Sequence, residues 1–340
     1  MKNLLGISVL VALLYTLPCD YVIAQTNPDV NHTDKEYTSL EEALTKPSTV
    51  YRLNLSNQNL NNLPDTIWSN FKNIEYLNLK DDHLLEIPPA IGTLKTLKVL
   101  NLSGNDFKVL PPSFAGLENL REIYLNDEVN MDTDLTLNIL KDLPNLRTLH
   151  LENDNLKTIP PTLFGFSNLE NLYLDNNPLS SLSSEKWTNF KNLEYLSLKN
   201  DHLSEIPSEL GALKNLKVID LSGNDFKKLP QSFSGLKNLR EIYLNDEVNM
   251  DTDETLSVLQ GLPNLKILHL ENDNLSVLPK NVLNLYQLES IYLNNNKLDK
   301  IPSELNQLKN LKLIDLHENN LNLNNNDLQF KDTFKAIIRF

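Results

Sequence analysis

From Val50 onward one spacing of apolar and polar positions recurs: apolar-x-x-Leu-x-Leu-x-x-Asn-x-Leu, usually followed by x-x-Ile/Leu-Pro. Successive copies begin at Val50, Ile74, Leu97, Leu120, Leu146 and Leu169 and continue to Leu311, twelve in all, in steps of 23 to 26 residues. In Leu77-Asn78-Leu79 the alternation sends both leucines to one side of a short strand and the residue between them to the other. Leu84 then turns back beneath the strand, and Ile87-Pro88 opens a return leg. Proline stands there eight times, for example Pro88, Pro111 and Pro207. It has no N–H for a central strand, so the return leg is predicted to be 3₁₀, helical or extended coil. One coil cannot bury its own leucines. Stacked coils share a continuous core, with a parallel sheet spanning roughly 55 Å at about 4.8 Å per strand.

Asparagine is the commonest ninth residue, and its amide can both donate to and accept from the turning backbone. Asn105, Asn177, Asn224, Asn296 and Asn319 fit, whereas Asp82, Asp154, Asp201 and Asp273 only accept when ionised. Glu128 and Glu247 depart further and lie in the two 26-residue copies, so the ladder is expected to break there. Those copies carry acidic insertions, Asp127 to Asp134 and Asp246 to Asp253, followed by leucines every third residue (Leu137, Leu140, Leu143; Leu256, Leu259, Leu262). That spacing predicts a helical turn or two on the outer side. Residues 74–160 match 193–279 at 62 of 87 positions, which marks a 119-residue duplication, 74–192 and 193–311.

These residues resemble the leucine-rich repeat family, whose period is about 20 to 29 residues. The resemblance covers most of the chain and implies an α/β fold: a curved solenoid with a parallel sheet on its concave face and a 3₁₀, helical or coil outer face. The Leu/Ile-Pro copies and the approach Leu213-Lys214-Asn215-Leu216-Lys217 are similar to a class of intracellular scaffolds, their plant relatives and many bacterial surface proteins. The array is expected over 50–323, between an N-terminal cap helix at 39–49 and a C-terminal cap at 324–340. Ser39-Leu40-Glu41-Glu42 reads as a capping box, and Asp332 as the cap of a helix carrying Phe334, Ile337 and Ile338 on one face.

Lys2 followed by the apolar run Leu4 to Leu17 and Pro18 reads as a signal peptide over 1–24, ahead of a polar, flexible segment at 25–38. The run is shorter than the roughly 20 residues of a membrane span. Val22 and Ala24 are small enough for cleavage before Gln25. The lesser alternative is a lipid anchor on Cys19, the only cysteine, although Pro18 suits a lipobox poorly. Export to the cell envelope or beyond is therefore expected, of bacterial type, with no integral span after the leader is removed. With 31 basic and 45 acidic residues the net charge is −14, which argues against nucleic acid as a partner. Cysteine usage rules out a disulfide framework.

No phosphate loop, nucleophile elbow or zinc-helix motif is present, so neither enzyme activity nor a cofactor is indicated. The acidic insertions have no organised calcium-loop spacing. On the strand face opposite the leucines, one column contains Tyr124, His150 and Tyr173, and again, 119 residues on, Tyr243, His269 and Tyr292. Glu152 and Glu271 follow the histidines on the same strands. Aromatic rings with polar tips on a concave face suit a binding surface; the plainer reading is strand propensity copied by the duplication. His150 and His269 lie five strands apart, roughly 24 Å, too far to share a metal, and read as exposed residues beside Glu. The expected function is a non-enzymatic scaffold or receptor-like module that binds another protein. The alternatives are a regulatory subunit of an intracellular enzyme or signalling complex, or a glycan-binding surface protein.

Overall fold

A computed structural model describes residues 35–179, 182, 186–322 and 336–340. The leader, Cys19 and most of the segment at 25–38 lie outside these residues, as do Asp332 and Phe334. Among the described residues, fourteen short strands form one parallel sheet in strict chain order. They are β1 (Glu36–Tyr37), β2 (Arg52–Asn54), β3 (Tyr76–Asn78), β4 (Val99–Asn101), β5 (Glu122–Tyr124), β6 (Thr148–His150) and β7 (Asn171–Tyr173). The second half continues with β8 (Tyr195–Ser197), β9 (Val218–Asp220), β10 (Glu241–Tyr243), β11 (Ile267–His269), β12 (Ser290–Tyr292), β13 (Leu313–Asp315) and β14 (Ile337–Arg339). The register pairs the first apolar residue of each Leu-x-Leu with that of the next, Leu53 with Leu77 and Leu77 with Leu100, so one apolar column runs through the stack. These residues are fully buried. The fold is an open leucine-rich repeat solenoid.

Proline opens most return legs, as in the 3₁₀ turns Pro89–Thr93, Pro112–Gly116 and Pro161–Gly165. Its fixed φ favours a first helical position, where its missing N–H costs nothing. In the longer copies the return leg is an α-helix instead. α1 (Leu40–Thr45) lies between β1 and β2 in the chain, and α2 (Thr133–Leu140) and α3 (Thr252–Leu259) are the two outer helices the leucine spacing predicted. Asp132 and Asp251 cap them by accepting from the backbone N–H of Leu135 and Glu254. The turn after each strand needs left-handed backbone, supplied mostly by Asn and Asp and, at φ +56° and +57°, by His83 and His202. Gly104 and Gly223 (both φ +69°) supply the same backbone, and a Cβ there would also displace the Asp81 or Asn200 side-chain oxygen about 2 Å away.

Three sequence expectations about the fold differ from the structure. The ladder does not break at Glu128 and Glu247: Glu128 Oε1 accepts from Asn105 N at 2.6 Å and Glu247 Oε1 from Asn224 N at 2.5 Å. The extra methylene of Glu lets a carboxylate reach across the longer coil. Ile337 and Ile338 lie on a strand, not a helix. β13 offers unpaired backbone groups, which β14 meets through Ile337 N to Lys312 O and Leu316 N to Arg339 O. Ile338 points inward while Ile337 is exposed, the alternation of a strand. At the other end, Glu36 and Tyr37, expected in a flexible segment, pair with β2.

Candidate binding surface

Strand register brings the tyrosines and histidines together. Tyr124 pairs with His150 and His150 with Tyr173; Tyr243, His269 and Tyr292 repeat the arrangement. The rings stack face to face. Tyr124 to His150 is 4.0 Å between centroids at 10°, and His150 to Tyr173 is 4.3 Å at 9°. The second stack has 3.9 Å at 13° and 4.4 Å at 2°. Tyr195 leans on Tyr173 at 4.8 Å and lengthens the first stack by one ring. Leu313 follows Tyr292 at the corresponding place in the second.

Each histidine is clamped between two carboxylates. His150 Nδ1 lies 3.1 Å from Glu152 and its Nε2 3.3 Å from Glu122; for His269 the distances to Glu271 and Glu241 are both 3.1 Å. A neutral imidazole has one donor nitrogen, so a carboxylate at each nitrogen selects the doubly protonated ring. Burial opposes that charge, but the carboxylates outweigh it and push both histidines up to about 9. In return, Glu122 and Glu241 are buried, which favours their neutral form, yet the histidine bonds bring them below the usual carboxylate range. The Tyr124 and Tyr243 hydroxyls also hydrogen-bond Glu122 and Glu241. The result is an imidazolium held between two tyrosine faces and two carboxylates, a geometry suited to cation–π attraction.

Both histidines are thus buried, at 8 % exposed, and not the exposed side chains their strand positions suggested. Tyr173 is buried too, while Tyr124, Tyr243 and Tyr292 remain part-exposed. Glu122 and Glu241 are the members the sequence reading missed. Their signal was present: each stands two residues before a stacked tyrosine on the same strand, hence on the same face. Nearby, Asp175 accepts from the Ser197 hydroxyl, and burial pushes its carboxyl up to about 7. The acidic insertions hold the fold in place: Asp132 caps α2, Glu128 is a ladder rung, and Asp134 accepts from Thr162 N and Oγ1. Among the described residues no group of three or more His, Cys, Asp or Glu is arranged to hold a metal ion.

Residues 146–262 match a family model described as a leucine-rich repeat region, and 263–321 and 96–117 match two further leucine-rich repeat models. No curated protein matches the chain. Among solved structures, a leucine-rich repeat protein of Leptospira interrogans is similar at 25 % identity and TM-score 0.59, over 91 % of this chain and 100 % of that one. The ectodomain of the Arabidopsis thaliana membrane receptor kinase GASSHO1/SCHENGEN3, solved in complex with Casparian strip integrity factor 2, is 27 % identical with TM-score 0.53. That match takes in 80 % of this chain and 36 % of the ectodomain, about a third of its length. Repeat spacing, coil geometry and these likenesses agree: the chain belongs to the leucine-rich repeat family.

Proposed function

We propose that the chain is an exported, non-enzymatic scaffold or receptor-like module, which holds a protein partner on the concave sheet through its two Tyr-His-Tyr nodes. The observation carrying this reading is that the nodes agree to within 0.1 Å in their stacking distances, although other positions of the duplicated blocks have diverged. A stack locked by carboxylates presents part-exposed aromatic area at little entropic cost on binding, which favours a hot spot. The plant ectodomain, solved with a bound factor, supports a protein partner over a glycan. Export rests on the sequence of residues 1–24, and the intact mass of the protein from its own host should correspond to a chain starting at Gln25.

The test replaces the part-exposed rings, which leaves the buried histidines and Tyr173 in place. Tyr124→Ala and Tyr243→Ala should each weaken capture of partner from host surface extract, by roughly 30-fold in affinity for about 2 kcal/mol. A control set on the outer turns, Lys214, Lys237 and Lys309 to Ala, should capture as the parent does. Undiminished binding by the double tyrosine variant would exclude the nodes as the site.

A further inference from the structure

The ladder beneath the turns mixes asparagine with buried acid. Asn177 shows the ordinary rung: its Oδ1 accepts from Asp154 N at 3.0 Å and Leu156 N at 2.9 Å, and its Nδ2 donates to Leu151 O at 2.8 Å and Leu174 O at 2.6 Å. Asn105, Asn224 and Asn296 repeat these bonds. Between them stand Asp82, Glu128, Asp154, Asp201, Glu247 and Asp273, all at most 5 % exposed. One oxygen of each does the work of the amide oxygen. Asp201 Oδ1 accepts from Asn177 N at 2.7 Å, Asp154 Oδ1 from Glu128 N at 2.8 Å, and Asp273 Oδ1 from Glu247 N at 2.8 Å.

The other oxygen has no partner in Asp82, Glu128, Asp154, Asp201 and Asp273. In the asparagine rungs the corresponding side-chain atom is Nδ2, which donates to main-chain carbonyls. A second carboxylate oxygen there would set lone pair against lone pair, out of reach of water. An O–H would donate to the carbonyl just as N–H does. The charged groups that weigh most on them are themselves acidic: Asp81 for Asp82; Asp154, Asp106 and Asp127 for Glu128; Glu152 and Asp127 for Asp154; and Asp175 and Asp220 for Asp201. Glu247 has Asp273, Asp225 and Asp246, and Asp273 has Glu271 and Asp246.

We propose that the acidic rungs are carried as neutral carboxylic acids, each O–H standing in for an asparagine N–H, so that the solenoid tightens as pH falls and loosens as it rises. Burial pushes Glu128, Asp201 and Glu247 up to about 9 and Asp154 and Asp273 up to about 8, with Asp82 also raised. Between the ordinary carboxylate value near 4 and these folded values, the native chain holds protons that the unfolded chain releases. The stabilisation is therefore complete below about pH 4 and is lost as pH rises through about 8 to 9. Every proton so held changes the folding constant about ten-fold per pH unit. His150 and His269, raised to about 9, act with the same sign above about pH 6.5, so the rungs must be separated from them by substitution.

The test compares the parent with Asp154→Asn/Asp201→Asn by denaturant unfolding at about pH 5.5 and about pH 8. Asparagine is native at neighbouring rungs, so the variant keeps the ladder. The parent should lose stability between these pH values. The variant should lose less, by about 100-fold in folding constant per pH unit for two rungs removed, and should be the more stable protein at the higher pH. Equal pH slopes in parent and variant would overturn the proposal. Infrared spectra need no folding comparison: the parent at neutral pH should show the carbonyl stretch of protonated carboxylic acid, weakened in the variant. Carboxylate bands alone in the parent would overturn it as well.

Discussion

At the scale of single residues, the nodes owe their form to pairs of carboxylates that fix the charge of a buried ring. His150 and His269 should titrate near 9 in nitrogen-detected NMR, and Glu152→Gln should draw His150 back toward its ordinary value near 6.5. Because the folded value is the raised one, the stability they lend is complete below about 6.5 and is lost as pH rises through about 9. A free-solution titration for both would contradict the clamp. Tyr-His-Tyr was legible in the sequence because strand alternation alone puts those residues on one face. The depth of the histidines was not, since it comes from ring-on-ring cover by neighbouring coils and from Glu122 and Glu241. Glycine gives a second test: a Cβ on Gly211 would lie 2.4 Å from Ser232 O, whereas one on Gly165 meets nothing closer than 3.5 Å. Gly211→Ala should cost about 1–3 kcal/mol and Gly165→Ala under about 0.5 kcal/mol, read by equilibrium denaturation.

Among the elements, strands and return legs follow from local pattern, because each copy repeats the same alternation and the same proline. The helices α2 and α3 were equally readable from leucines at every third position, whereas their caps, Asp132 and Asp251, appear only in the structure. Asp132→Ala should lower stability by about 1 kcal/mol, and the loss should localise to faster amide exchange at the start of α2. Undisturbed exchange there would show that the cap is idle. The chain ends were harder to read. Phe334, Ile337 and Ile338 have helical spacing, but β13 is a sheet edge, and an edge recruits any short segment able to complete its backbone bonds. The same holds for β1 on β2. The ladder at Glu128 was misread for a related reason, since residue type alone gives no measure of the gap a longer side chain spans.

As a whole molecule the solenoid is a sum of coils and their interfaces, doubled by a 119-residue block. Deleting residues 74–192 joins Asn73 to Leu193, a junction preceded by the same Asn-Phe-Lys-Asn that precedes it natively. The shortened chain should fold cooperatively with lower stability, having lost interfaces and one node. Aggregation where the parent is soluble would contradict a continuous stack. The most direct test of the account is an oxidative footprint of the tyrosines with captured partner added. Tyr124, Tyr243 and Tyr292 on the concave sheet should become protected together, while Tyr286, exposed in a return leg, should react as before. Protection of Tyr286 with the concave tyrosines unchanged would contradict it and put recognition on the outer face.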